Sequence, residues 1–151
     1  MDSFEKLFDS LLVEINDSIN EKIIGINYLE KIKFLLIEKL QVLDKLIFDD
    51  FIKDISIKKT FSNNREFNSK KVSYTINYLE KSVIKIKSKI EEDSLFIVLD
   101  GFKIITIFDK NNHEKSIKTK IFKNMGFVLS QGSIINENSN KKSIILQIVN
   151  K

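Results

Sequence analysis

The chain has 151 residues, a length suited to one domain, and 42% of them are apolar, enough for one buried core but thin for two. It contains no cysteine, which excludes disulfides, thiolate metal sites and cysteine nucleophiles, and no apolar segment reaches the roughly 18 uncharged residues that a bilayer span requires. The net charge of +4 comes almost wholly from lysine, with Arg65 the one arginine; lysines interleaved with glutamates along the chain read as a solvated surface and argue against a nucleic-acid partner read by bidentate arginines.

The opening residues Met1-Asp2-Ser3-Phe4-Glu5-Lys6 lack the basic start and unbroken apolar stretch of a secretory signal, so a cytoplasmic location is expected. Phe4, Leu7, Phe8, Leu11, Leu12, Ile15 and Ile19 recur at helical spacing with Asp9, Glu14 and Asp17 opposite, which predicts an amphipathic helix. Gly25 predicts a break. Leu29, Ile32, Leu36, Leu40, Leu43 and Ile47 then continue the rhythm to Phe48, with Glu30, Lys33, Lys39 and Asp44 outside. Two helices on a short linker predict an antiparallel hairpin over residues 1–50, its apolar face directed at a sheet or a second subunit.

From residue 55 the period changes. Ile55-Ser56-Ile57-Lys58 alternates as a strand does, and Ser62-Asn63-Asn64 has the composition of a loop. Val72-Ser73-Tyr74-Thr75-Ile76, Ile84-Lys85-Ile86-Lys87 and Leu95-Phe96-Ile97-Val98-Leu99 read as strands. So do Lys103 to Phe108, Ser116 to Ile121, Phe127 to Leu129 and Ser143 to Val149. Ile76, Leu79, Val83, Ile86 and Ile90 also fit a helical stripe, which leaves residues 76–92 open to either reading. With no proline in any turn, Gly101, Gly126, Gly132 and the Asn/Asp clusters are expected to supply the unusual backbone angles. Ile26-Asn27-Tyr28-Leu29-Glu30-Lys31 recurs as Ile76-Asn77-Tyr78-Leu79-Glu80-Lys81, but the flanking periods diverge, so a duplicated unit is not expected. The expected fold is α+β in a single domain of residues 1–151: an N-terminal helical hairpin, then a small antiparallel β-barrel or jelly roll over 55–150.

Two stretches carry a family resemblance. Ser94-Leu95-Phe96-Ile97-Val98-Leu99-Asp100-Gly101 looks like a strand that brings a metal-binding Glu to a turn glycine, and Phe127-Val128-Leu129-Ser130-Gln131-Gly132-Ser133-Ile134-Ile135-Asn136-Glu137-Asn138 looks like the strand, Pro-x-Gly turn and His that follow it. Over residues 72–149 the chain thus resembles the cupin family of double-stranded β-helix barrels. The resemblance implies a metal held by two His and a Glu of the first motif and one His of the second. Here Lys87 or Lys89 falls near the paired His positions, Ser94 at the Glu, Ser130 at the Pro and Ile135 at the last His. An ammonium cannot ligate a metal and an isoleucine has no donor atom, so the expectation is a metal-free member without cofactor.

Candidate chemistry is sparse. His113 is the one histidine and lies in the polar turn Asp109-Lys110-Asn111-Asn112-His113, so neither a Ser-His-Asp nor a Cys-His arrangement can be assembled, and no catalytic residue is assigned. Glu91-Glu92-Asp93 and Asp49-Asp50 read as turn and surface groups, and no glycine pattern fits a phosphate loop. What remains is a barrel interior lined by Tyr74, Lys87 or Lys89, Ser94, Phe96 and Ser133, open to a small anionic or sugar-like ligand. The favoured reading is a metal-free binding or protein-interaction scaffold that self-associates, or meets another protein, through the N-terminal helices. The alternative is a metal-independent sugar or nucleotide-sugar isomerase or epimerase using Tyr, Lys or Glu for proton transfer.

Overall fold

The computed structural model describes residues 3–80, 87–109, 111–112, 114–138 and 142–151. Three helices open the chain: α1 Ser3–Asp17, α2 Gly25–Gln41 and α3 Lys45–Lys58. The first two follow the apolar stripes, burying Phe8, Leu12 and Ile15 from α1 and Leu29, Ile32 and Leu36 from α2. The third corrects the expected hairpin. Asp44 caps it, its carboxylate accepting from the backbone N–H of Leu46 at 2.9 Å and of Ile47 at 3.4 Å, and Phe48, Phe51 and Ile55 continue a helical stripe. Ile55-Ser56-Ile57-Lys58, expected as a strand, is the last turn of this helix. Ile55 is buried and Ile57 is 71% exposed, so the two isoleucines that would share a face in a strand lie on opposite faces of the helix; over four residues the sequence pattern cannot tell period two from one helical turn. The helical segment therefore runs to Lys58 rather than to residue 50.

Among the described residues nine strands follow: β1 Thr60–Phe67, β2 Lys70–Leu79, β3 Lys87–Lys89, β4 Ser94–Asp100, β5 Phe102–Phe108, β6 Ser116–Phe122, β7 Gly126–Leu129, β8 Ile134–Asn138 and β9 Ser143–Asn150. They form two antiparallel sheets, ordered β1-β2-β9-β4-β7 and β3-β8-β5-β6. Ser62-Asn63-Asn64, expected as a loop, lies inside β1, paired with β2 along its length. Phe61 and Phe67 pack partly against the helix-side core, and this burial overrides the local composition. The strand expected at Ile84-Lys85-Ile86 falls outside the described residues, as do Val83 and His113; Ile76 and Leu79 of the competing helical stripe are in β2.

The molecule has three layers. The helices pack on the outer face of the five-stranded sheet, where Leu12, Ile32, Leu36 and Phe51 meet Ile76, Leu95, Leu146 and Ile148. Much of the expected helical stripes, including Leu12, Leu29, Ile32 and Leu36, packs on this sheet, while Ile47 is 47% exposed. A second core, of Phe96, Val98, Ile105, Ile121, Leu129, Ile135 and Ile145, fills the space between the sheets. Burying each such side chain contributes about 1.5–3 kcal/mol before ordering costs. Buried on both faces, β4 reads as an unbroken apolar run for that reason. Among the described residues no helix is long and apolar enough to cross a membrane.

The repeated hexapeptide takes two conformations: its first copy lies in α2, while Ile76 to Leu79 of the second lie in β2 against β9. Gly101 has φ +76°, and a Cβ there would lie 2.4 Å from the Lys142 carbonyl oxygen where the chain passes between sheets. Gly126 departs from expectation, for its φ is outside the left-handed region. Glycine is required there by packing, since a Cβ would lie 2.7 Å from the Phe96 carbonyl oxygen and 2.9 Å from Ile97 Cγ1. Gly126→Ala should cost about 1–3 kcal/mol by prising β7 from β4. Urea unfolding measures this, and an unchanged midpoint would refute the packing argument.

Candidate functional site

Cross-strand partners share a sheet face, so the register fixes which residues look into the sandwich. From the five-stranded sheet Ser94, Phe96 and Val98 of β4 face inward with Val149, Gln147 and Ile145 of β9, and with Ser73 and Thr75 of β2 beside them. From the other sheet come Lys103, Ile105 and Ile107 of β5 and Ile135 and Glu137 of β8. The middle is solid: Phe96 stacks on Phe127 with ring centroids 5.2 Å apart, and Ile105 and Ile135 are fully buried against it. Among the residues named, Ser73, Ser94 and Gln147 lie toward one end and Lys103 and Glu137 toward the other.

At the end where β4 begins and β9 finishes, a cavity of about 340 Å3 is lined by Ser73, Lys89, Ile90, Glu91, Glu92, Ser94, Gln147, Val149 and Lys151. Ser94 Oγ donates to the Glu92 carbonyl at 2.8 Å, and Gln147 Nε2 donates to Ser94 Oγ at 3.4 Å. Ser73 Oγ donates to Asn64 Oδ1 at 2.7 Å. Asp93 anchors the rim by accepting from the Gln131 N–H at 2.8 Å, and Ile90 N–H donates to the Ser133 carbonyl at 2.8 Å. The lining thus offers hydroxyls and an amide beside two lysines and two glutamates.

The opposite end, next to Gly101, holds an ion pair. Lys103 Nζ lies 2.8 Å from Glu137 Oε2, with side-chain exposures of 5% and 36%. Sequence reasoning missed both residues. In Phe102-Lys103-Ile104-Ile105-Thr106-Ile107-Phe108 the two phases of the alternation are equally apolar, so nothing local indicates that the phase holding Lys103 faces inward.

The six residues expected to line one interior are dispersed. Ser94 and Lys89 meet in the cavity, and Phe96 lies below them in the apolar floor. Ser133 is buried beside the rim, its Oγ 3.5 Å from that of Ser130. Lys87 and Lys89 share the outward phase of β3, their register partners Asn136 and Ile134 being on the outer face; Lys89 borders the mouth at the end of the strand, while Lys87 Nζ sits 4.4 Å from the Phe108 ring. Tyr74 lies on the other side of the five-stranded sheet, among the helices, in contact with Phe8 and Phe61. The strand phase decides this, since Tyr74 alternates with inward-facing Ser73 and Thr75.

At the helix-sheet interface Tyr74 OH donates to the buried Asp9 carboxylate, which Arg65 Nη1 approaches at 3.6 Å, while Asn63 Nδ2 donates to Tyr74 OH at 3.5 Å. Burial, and then the bond to Asp9, push the Tyr74 phenol well above its ordinary range. Tyr28, whose hydroxyl donates to Asn16 Oδ1, is pushed up by burial to about 12. Both phenols therefore serve the fold in neutral form.

The metal positions implied by the resemblance do not fit a metal. The seats hold outward-pointing Lys87, rim Lys89, a serine hydroxyl already engaged with a carbonyl, and Ile135 packed in the floor. Among the described residues no three His, Cys, Asp or Glu side chains gather closely enough to hold an ion.

No family model matches the chain, and no curated protein matches it by sequence. Solved structures do. A cupin superfamily protein from Desulfitobacterium hafniense aligns with a TM-score of 0.45 at 15% identity, over 60% of this chain and 76% of that one. Two substituted forms of oxalate decarboxylase from Bacillus subtilis align with TM-scores of 0.50 at 10% identity, over 62% of this chain and 26% of theirs. The chain spans about a quarter of the length of those decarboxylases, and at such identity the likeness is one of fold. The fold is cupin-like.

Proposed function

We propose that the chain is a non-catalytic binding module on a cupin-like scaffold, and that it holds a small polyol or sugar-like ligand at the mouth of the sandwich. One observation carries this reading: the groups able to hydrogen-bond a small molecule, Ser73, Ser94 and Gln147, collect at the mouth above a floor of packed apolar side chains. Lys89 and Lys151 are balanced by Glu91 and Glu92, which favours a neutral polyhydroxyl over a strongly charged ligand. Proton-transfer chemistry of the isomerase kind would want a phenol paired with a base inside the scaffold. Tyr28, Tyr74 and Tyr78 all belong to the helix-side cluster instead, which weighs toward binding.

Saturation-transfer NMR against a panel of neutral hexoses, polyols, sugar phosphates and dicarboxylates tests the proposal. The expected result is transfer to neutral polyhydroxyl compounds at millimolar concentration, reduced at least fivefold by Gln147→Ala with the melting curve preserved. Transfer confined to anions, or transfer indifferent to Gln147→Ala, would sink it.

A further inference from the structure

We propose that the outer face of the four-stranded sheet is a binding platform for single-stranded nucleic acid, a function separate from the mouth. Register gathers onto this face residues that are far apart in sequence. Phe102 and Phe108 of β5 lie beside Phe122, Lys120 and Lys118 of β6, while Lys87 of β3 flanks them across β8. The helices pack on the other sheet, leaving this one open, and Phe122 is 50% exposed. None of the strand residues that share the face is a carboxylate, and among the described residues none of Lys87, Lys118, Lys120 and Lys89, which lies at the mouth end of β3, pairs with one.

In place of anions two of these lysines rest on aromatic rings. Lys120 Nζ lies 4.1 Å from the Phe102 ring and 5.1 Å from that of Phe122, and Lys87 Nζ lies 4.4 Å from that of Phe108. The Phe102 and Phe122 centroids are 6.5 Å apart. Along β6 the strand rise separates Lys118 from Lys120 by about 7 Å, the scale of one step of an extended polynucleotide. A single strand supplies both missing partners at that spacing, a phosphate for each lysine and an unpaired base for each ring. An acidic peptide satisfies only the lysines, and a duplex keeps its bases stacked away from the rings. Scattered lysines and a lone arginine argued against nucleic acid in the sequence, but arginine matters for reading base edges, whereas stacking with phosphate contacts needs only rings and cations.

The probe is a fluorescein-labelled oligothymidine of about 15 nucleotides, followed by anisotropy on the intact chain, with the matching duplex, polyglutamate and phosphatidylglycerol vesicles as competitors. Binding is expected to weaken with salt along a log–log slope of about −2, from three lysine–phosphate contacts. Lys118→Gln with Lys120→Gln should reduce affinity at least tenfold and flatten the slope, while Phe122→Ala should reduce it about fivefold or more at unchanged slope. Gln147→Ala, at the mouth, should leave it unchanged. Absence of binding at low salt, competition by polyglutamate or vesicles as strong as by the oligonucleotide, or variants that bind normally with native melting curves would each overturn the proposal.

Discussion

Tyr74→Phe should lower stability by about 2–3 kcal/mol, a large effect for the loss of one oxygen. The phenol is the closest partner of the Asp9 carboxylate, which is 7% exposed in the helix-sheet core. Without it the charge keeps, among the described residues, only Arg65 at 3.6 Å, too long for a good hydrogen bond. A buried charge that loses its partner costs far more than the pair contributes, so Tyr74→Phe with Asp9→Leu should recover most of the loss, Arg65 turning to solvent. Urea unfolding of both single variants and the double measures this coupling. A Tyr74→Phe penalty below about 0.5 kcal/mol would mean that Asp9 does not depend on the phenol. The same residue predicts the alkaline limb. Its folded pKa is raised, so the contribution of the neutral phenol is complete below the ordinary value near 10 and is lost as pH climbs through the raised one. Tyr74→Phe should therefore lose less stability above pH 10 than the parent, with Tyr28 still contributing a decline toward pH 12.

The layout of helices before strands was legible because the apolar periods are strong where burial is one-sided. The α1 stripe from Phe8 to Ile15 and the unbroken run of β4 each announce the faces they bury. Phase was not legible. Tyr74 was assigned to the interior because strand identity alone does not say which alternate residues face which layer, and here helices cover one face of the sheet and a second sheet the other. The third helix was missed because its cap, Asp44, follows the second helix so closely that the stripe reads as continuous through Ile47. The cationic face was invisible for a related reason: Lys87, at one edge of the four-stranded sheet, joins the face of Lys118 and Lys120, at the other edge, only through the pairings β3-β8, β8-β5 and β5-β6, which no local pattern records.

The ion pair inside the sandwich should behave asymmetrically. Glu137→Ala is expected to cost about 3 kcal/mol, because it leaves the Lys103 ammonium, 5% exposed, without the carboxylate 2.8 Å away. Lys103→Met should cost about 1 kcal/mol or less: the aliphatic stem is replaced at similar volume, and the 36% exposed Glu137 can turn to water. Equal penalties would imply that the lysine reaches solvent as readily as the glutamate. The pair also separates the two ends of the scaffold. Lying next to Gly101, across the apolar floor from Ser94 and Gln147, it should not touch a ligand bound at the mouth. Glu137→Ala, studied below its melting temperature, should therefore retain the saturation-transfer signals that Gln147→Ala diminishes. Loss of those signals with stability intact would move the binding site to the Lys103 end and make that buried ammonium its centre.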